Sequence, residues 1–398
     1  MKHTLLKTAL MLSSLFTASV LRAQTVAALQ QVLAAVETNN TTLRAAVKET
    51  NAQRLANQTA TNLPDPEVEF GYLWGGPSSI GKRKDVSVSQ SLDLATLSGQ
   101  RKRLAEAQNE GVDLQYRVTR QSVLTEAADR WLSLVYCNAR LESQHQRTRQ
   151  AEDILRAMQR RLKAGEGNVL DVNQARLSYT AARAEQVRLE SEQKALQTQL
   201  DVMNGGIPLS VLQSSFDSIA FPANFDAWYA DVEKTLPLLA TARQDVTIAR
   251  RSVAVTKAEG LPSLSIGYMG EFTRGEHYQG PTVGVSIPLW SNRGKVRQAK
   301  LLADASADKA QDVAEQTRAR LRSLYLRADG LRRSLAVYRS AEQSQPGCEA
   351  LRKALDGGEL SLVDYLTAVG MYYDSASQRL DAEYAYWQAW IELTSVCL

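Results

Sequence analysis

The stretch GPTVGVSIPLWSNRGKVRQAKLLADAS, Gly280 to Ser306, changes its period halfway along. Val283, Val285, Ile287 and Leu289 alternate with Gly284, Ser286 and Pro288, the two-residue period of a strand with one apolar face. Asn292 and Gly294 then punctuate the chain, and a long charged, alanine-rich helical pattern follows. A strand of this kind feeding directly into such a helix is the feature that any fold for this chain must explain.

The same passage occurs twice. VSVSQSLDLATLSGQRKRLAEA from Val86 matches VGVSIPLWSNRGKVRQAKLLAD from Val283; upstream, LPDPEVEFGY from Leu63 matches LPSLSIGY from Leu261. Downstream, AGEGNVLDVNQA from Ala164 aligns without a gap to GGELSLVDYLTA from Gly357, pairing Gly165 with Gly358, Asp171 with Asp364 and Ala175 with Ala368. The offsets of 198, 197 and 193 residues are nearly constant, so the chain reads as a tandem duplication.

Each copy has one plan. The first repeat, 24–206, is expected to hold a helix at 24–62, strands at 66–74 and 84–93, a long helix at 96–163 and a shorter helix at 168–204. A linker at 207–224 leads to the second repeat, 225–398, with a helix at 225–260, strands at 263–271 and 281–290, a long helix at 293–356 and a helix at 361–397. Steps of three and four between Leu124, Ala128, Trp131 and Val135, and between Leu321, Leu324, Ala328, Leu331, Leu335 and Tyr338, are the seam of helices packed side by side. A long helix of this kind would extend roughly 100 Å. Pro346-Gly347 is expected to kink or break the second one.

The strands are apolar on one face only. Val68, Phe70 and Tyr72, then Val86 and Val88, then Leu264, Ile266 and Tyr268, then Val283, Val285 and Ile287 alternate with polar or small residues, the pattern of an outer-membrane β-strand with lipid on one side and water on the other. Two hairpins laid over a soluble core would give a similar pattern. Four strands cannot close a membrane barrel, which needs about eight, and open edges are not tolerated in lipid. A membrane reading therefore requires an oligomer sharing one barrel, and three chains would supply twelve strands.

Composition adds bounds. The chain has 398 residues, 44% hydrophobic and 23% charged, an ordinary globular balance. Lys2 and Lys7 ahead of an apolar run from Ala9 to Val20, and Leu21-Arg22-Ala23 after it, predict a signal peptide at 1–23. Its removal takes three of 47 basic residues and no acid, leaving 44 against 43, a net charge of +1. No basic surplus of the kind that nucleic acid demands is left. Past residue 23 no apolar run is long enough for a membrane-spanning helix. Cys137, Cys348 and Cys397 are expected to be core thiols.

In the order and duplication of these motifs the sequence resembles the TolC family of outer-membrane efflux proteins along essentially all of its length after residue 23. The motifs are GVSIPLWSNRGKVRQA (Gly284 to Ala299), the Leu-Pro before the first strand of each copy, and AGEGNVLDVNQAR (Ala164 to Arg176) with its echo. The resemblance implies a mainly α protein with membrane β: a homotrimer with a 12-stranded β-barrel in outer-membrane lipid, continuous with a periplasmic α-helical barrel. It also implies a periplasmic adaptor protein and an inner-membrane pump as partners. The turns at 163–168 and 356–361, with Gly165 and Gly358, would form the periplasmic tip. Asp171 would match an aspartate that helps hold the tip closed, and Asp364 one that rings the entrance. The family's locking arginine falls at Leu360 and its second ring aspartate at Thr367, so the closed state must be held differently. Independently of any family, acids in these positions also favour helix N-termini.

No catalytic, metal-ligating or phosphate-cradling pattern stands out among His3, His145, His277, the cysteines and the glycines, so no enzyme activity, metal site or cofactor is expected. Arg101, Lys102 and Arg103, and Arg293, Lys295 and Arg297, follow the strands at equivalent points and read as a solvated collar. The function expected is a passive exit duct for drugs or heavy-metal ions; the alternatives are the duct of a type I protein secretion system and, in another class, a structural periplasmic coiled-coil protein.

Overall fold

A computed structural model describes residues 24–77, 81–217, 219–342 and 347–397. The expected signal peptide and Pro346 lie outside the described residues. The elements in order are α1 (Gln24–Asn39), α2 (Thr41–Thr59), β1 (Glu67–Trp74), β2 (Lys82–Leu92), α3 (Leu94–Leu97), α4 (Gln100–Lys163) and α5 (Val169–Met203) in the first copy. The second copy has α6 (Phe225–Thr235), α7 (Pro237–Ala258), β3 (Ser263–Phe272), β4 (His277–Ser286), α8 (Lys295–Glu342), α9 (Cys348–Asp356) and α10 (Leu362–Thr394).

The single helices expected at 24–62 and 225–260 are each two. At Asn40 the side chain turns back on its own backbone: Oδ1 accepts from Leu43 N at 3.0 Å and Nδ2 donates to Met203 O at 2.8 Å, capping a new helix where the old one ends. In the second copy Pro237 is the first residue of α7, and Leu236 before it is extended, at φ −64° and ψ 115°. The helix expected at 293–356 is likewise α8 and α9, and the one expected from 96 is α3, capped by Asp93, followed by α4. Gly99 and Gly294, both at positive φ, turn the chain into the two long helices.

The fourth strand lies earlier than its alternation suggests, at His277–Ser286 rather than 281–290. Its limits are set by its partner: Phe272 faces His277 across a four-residue turn, and Ser263, the first residue of β3, faces Ser286. Ile287 and Leu289 continue the alternation beyond the last pairing, and Pro288 has no N–H to extend the ladder.

The chain divides into two compact units. One comprises the chain up to Arg44, Arg120–Val232 and the chain from Ala319. Its main core joins Leu29, Val32 and Val36 of α1, Leu124 to Val135 of α4, Leu200 of α5 and Trp387 and Ile391 of α10; Trp131 and Trp387 lie with ring centroids 6.4 Å apart. Val211 and Phe216 of the linker pack on the same cluster, and Phe225, Tyr229 and Val232 of α6 pack with Leu321 and Leu393 in another. Cys137 is buried and Cys348 half-buried, and both are free thiols.

The other unit, Ala45–Thr119 and Glu233–Arg318, holds the sheet. All neighbouring strands are antiparallel, in the order β1-β2-β3-β4, so the two hairpins form one sheet through β2 and β3, and β1 and β4 are its edges. Within this unit the helices are cross-linked by polar side chains. Arg54 pairs with Asp113, Asn57 Nδ2 donates to Asn109 Oδ1 at 2.9 Å, and Gln244 Nε2 donates to Ala107 O at 2.7 Å.

Candidate functional site

The residues expected to form the site fall on two features: the helix-to-helix turns in the first unit and the sheet in the second. The turns are near copies in three dimensions. In the first, Ala164 N donates to Arg160 O, Gly165 N to Leu162 O and Glu166 N to Arg161 O, at 3.0, 3.1 and 3.0 Å; in the second, Gly357 N donates to Lys353 O, Gly358 N to Leu355 O and Glu359 N to Ala354 O, at 2.9, 3.2 and 2.9 Å. This is how a left-handed residue ends a helix, by giving the last carbonyls new donors. Gly165 at φ +78° and Gly358 at φ +77° supply that residue, and a side chain costs more there because of its backbone conformation. Gly167 is required for a different reason, since a Cβ on it would meet Leu162 N at 2.7 Å.

The next helix is started differently in the two copies. Asn168 caps α5 by accepting from Leu170 N at 3.0 Å, and Asp171 follows in the first turn. Ser361 caps α10: its Oγ accepts from Asp364 N at 3.1 Å and donates to the Asp364 carboxylate at 2.7 Å. Asp364 is thus both an exposed charge and half of a reciprocal cap. Thr367, one turn on, is exposed, and Leu360, before the cap, is partly buried.

The two turns belong to one cluster. Ile154 and Met158 of α4, Val172 and Ala175 of α5, Leu355 of α9 and Leu362, Tyr365, Val369 and Tyr373 of α10 share a buried core. Gln150 Nε2 donates to the Tyr365 oxygen at 2.7 Å, Tyr373 Oη donates to Gln150 Oε1 at 2.8 Å, and burial pushes the Tyr373 phenol up to about 12. Nothing in the sequence points to this trio, because no local spacing links Gln150 to residues of the other copy. A second buried polar group lies further along α10: Glu383, 5% exposed, is paired with Arg339 of α8 and Arg379 of its own helix, each at 3.0 Å. Only the four-residue step from Arg379 is legible in the sequence.

In the sheet the register sorts the residues. Val68 faces Val88, Phe70 faces Val86, Val88 faces Tyr268, Leu264 faces Val285 and Ile266 faces Val283, so the apolar positions of all four strands lie on one side. From Val86 at 38% to Val283 at 75%, every one of these strand positions, with Tyr72, is exposed. Ile287 is exposed as well, beyond the end of β4. The opposite side carries Glu67, Glu69, Ser87, Ser89, Ser265 and Thr282 at the alternate positions. A Cβ at Gly267 on that side would meet Val88 O at 2.6 Å, and one at Gly284 would meet Ser265 Oγ at 2.4 Å. Arg101, one of the residues expected to form a collar, donates to Glu259 at 3.2 Å.

Among the described residues no cluster of histidine, cysteine or carboxylate side chains could hold a metal, and no helix is long and apolar enough to cross a membrane. The family model described as outer membrane efflux protein matches residues 82–206 and 228–397. The proteases secretion protein PrtF of Dickeya chrysanthemi is 25% identical over 301 residues, covering 71% of this chain; the chain spans 65% of that relative's length. The alkaline protease secretion protein AprF of Pseudomonas aeruginosa is 23% identical over 390 residues, 89% of this chain and 81% of the relative. In fold the chain is similar to the outer-membrane channel OprN, with a TM-score of 0.77 at 17% identity over 93% of this chain and 89% of that one.

Proposed function

The chain belongs to the outer membrane efflux protein family, and from that premise we propose that it is a passive exit duct that works as a homotrimer. Three copies of the sheet would close one twelve-stranded barrel in the outer membrane, with the helices forming a tunnel on the periplasmic side. The observation that carries this reading is a four-stranded sheet with an exposed apolar face and two unpaired edges. Unpaired backbone groups are too costly in lipid for such a sheet to be inserted alone. Strand directions alternate from β1 to β4, so β4 of one copy can pair antiparallel with β1 of the next and the ring closes without a parallel joint. Since a membrane barrel needs about eight strands, more than one copy is required; the family resemblance supports three.

The duct does no chemistry of its own. Cargo would reach it from an inner-membrane pump through a periplasmic adaptor that meets the tip, where the turns at Gly165 and Gly358 narrow the channel. Asp364 would contribute one carboxylate per copy to a ring at the entrance, with Asp171 helping to hold the tip closed. The family's description supports efflux, and drugs or heavy-metal ions are the leading reading of the cargo. Export of proteins through a type I secretion system is the second, supported by the names of PrtF and AprF.

Deleting the gene and measuring growth inhibition by zinc, cobalt, copper, cadmium, detergents and lipophilic antibiotics tests the cargo. Sensitisation to metals alone assigns a metal pump, broad sensitisation assigns multidrug efflux, and unchanged growth with proteins missing from the culture medium assigns secretion. Retention of all three phenotypes at wild-type level would sink the duct reading.

A further inference from the structure

Gly75 and Gly81 of the first hairpin and residues 273–276 of the second lie at the end of the sheet farthest from its helical attachments, since Trp74 faces Lys82, Lys84 faces Phe272, and Phe272 faces His277. At this end the apolar side of the sheet changes character. Lys84 takes the position between Tyr72 and Phe272 across the strands, Lys82 stands beside Trp74, and Lys82 Nζ lies 5.7 Å from the centre of the Tyr72 ring. A Cβ at Gly81 would be 3.8 Å from Arg274 Cβ, which sets the second hairpin's arginine against the first hairpin's lysines. Trp74, Lys82, Lys84, Phe272 and Arg274 line a depression of about 610 Å³.

The charge here is unbalanced on one side only. Arg83, on the polar side, is held by Asp85 at 2.8 Å and Glu271 at 3.3 Å, and the turn carboxylate Glu276 accepts from Tyr278 Oη at 2.9 Å. Among the described residues, Lys82, Lys84 and Arg274 are in no ion pair. Three uncompensated cations with a tryptophan, a tyrosine and a phenylalanine, at the margin of an apolar belt, fit a ligand that is anionic at one end and greasy at the other.

We infer that this depression binds the phosphate-bearing headgroup of an outer-leaflet lipid. The inference rests on the barrel reading above, which puts the hairpin ends at the outer surface. Two ammonium groups and a guanidinium fork match phosphate oxygens, and the aromatic rings fit the interfacial depth of the sugar or glycerol that carries them. The volume is that of a headgroup rather than of a whole lipid.

The full-length protein, purified in detergent, is incubated with a lipid A bearing two phosphates, with the same lipid after phosphate removal, and with excess inorganic phosphate as competitor; bound lipid is read by native mass spectrometry. The wild type should retain the phosphorylated lipid at least about tenfold over the dephosphorylated one. Lys82→Gln/Lys84→Gln/Arg274→Gln should lose that preference, Arg83→Gln on the other face should keep it, and inorganic phosphate should not displace the lipid. Equal retention of both lipids, an unaffected triple variant, or release by inorganic phosphate would overturn the inference. Flotation of the same proteins with lipid vesicles separates the two readings. A wild type that floats but ignores the phosphates defeats only the headgroup site, and one that does not float defeats the barrel as well.

Discussion

Gln150 and Tyr365, 215 residues apart in the chain and one in each copy of the repeat, are joined by a 2.7 Å hydrogen bond beneath the two glycine turns. Because Gln150 also accepts from Tyr373 at 2.8 Å, one amide holds two phenols of α10 against α4. Gln150→Leu should strand two hydroxyls and cost about 1–3 kcal/mol, whereas Tyr365→Phe strands only the Gln150 Nε2 donor and should cost less, about 1 kcal/mol. Thermal unfolding of the purified protein compares them, and equal losses would mean that water takes the amide's place.

The three turn glycines separate two physical requirements. Gly165→Ala and Gly358→Ala meet open space, so each should cost only the left-handed backbone penalty, about 1 kcal/mol. Gly167→Ala keeps an ordinary φ but drives a Cβ into Leu162 N, so the turn itself must move. Limited proteolysis across 164–168 should be faster in Gly167→Ala than in Gly165→Ala; the reverse order would place the constraint in the dihedral alone.

For Asp364 the cap and the charge can be pulled apart. Asp364→Asn keeps an oxygen to accept from Ser361 Oγ while removing the charge, and Ser361→Ala removes the cap at a cost of about 1 kcal/mol while leaving the charge. If the carboxylate rings the entrance, single-channel recordings in planar bilayers should show weaker cation preference in Asp364→Asn and little change in Ser361→Ala. Identical selectivity in Asp364→Asn and wild type would leave Asp364 as a cap only.

The two faces of the sheet should respond oppositely to one substitution. Val285→Arg on the apolar side should cost roughly 2–4 kcal/mol if that side meets lipid at mid-depth. Ser87→Arg on the polar side should preserve assembly and alter conductance. Heat resistance of the assembled protein on gels reads the first and bilayer current the second, and a Val285→Arg protein as heat-resistant as wild type would argue against a lipid-facing sheet.

Asp129 of α4 gives a pH dependence. Burial above all, then the nearby Glu392, raises its carboxyl to about 6, with Glu126 adding to the rise and Arg130 opposing it, and its Oδ1 has no hydrogen-bond partner among the described residues. A carboxyl raised in the native state holds its proton more tightly there, so it favours folding at low pH, and this contribution is lost as pH rises from about 4 through about 6. Asp129→Asn should therefore flatten the stability curve over that window and raise stability near pH 7 by about 1–2 kcal/mol. Melting temperatures of the two proteins at pH 4 and pH 7 decide it: a gap that does not grow with pH would show Asp129 to be ordinary.

Much of this molecule is written locally. The duplicated turn motif specifies where the left-handed glycines fall, the alternation around Val86 and Val283 specifies the apolar side of each strand, and three- and four-residue steps specify the helical seam. These are short-range properties, fixed by backbone periodicity and by which residues tolerate positive φ. Boundaries are less legible where a side chain or a partner strand sets them: Asn40 divides a continuous helical pattern by capping Leu43, and β4 ends opposite the first residue of β3 rather than where its own alternation stops.

Local order of residues is therefore enough for the duplicated motifs, the polarity of each strand and the chemistry of each turn. Folding in three dimensions is what pairs β2 with β3 to make one sheet of two hairpins, brings Gln150 to Tyr365, and gathers Lys82 and Arg274 at one rim. Those pairings join residues far apart in the chain, and the free energy that selects them is released only when whole faces are buried or aligned together, so no window of sequence carries their signal.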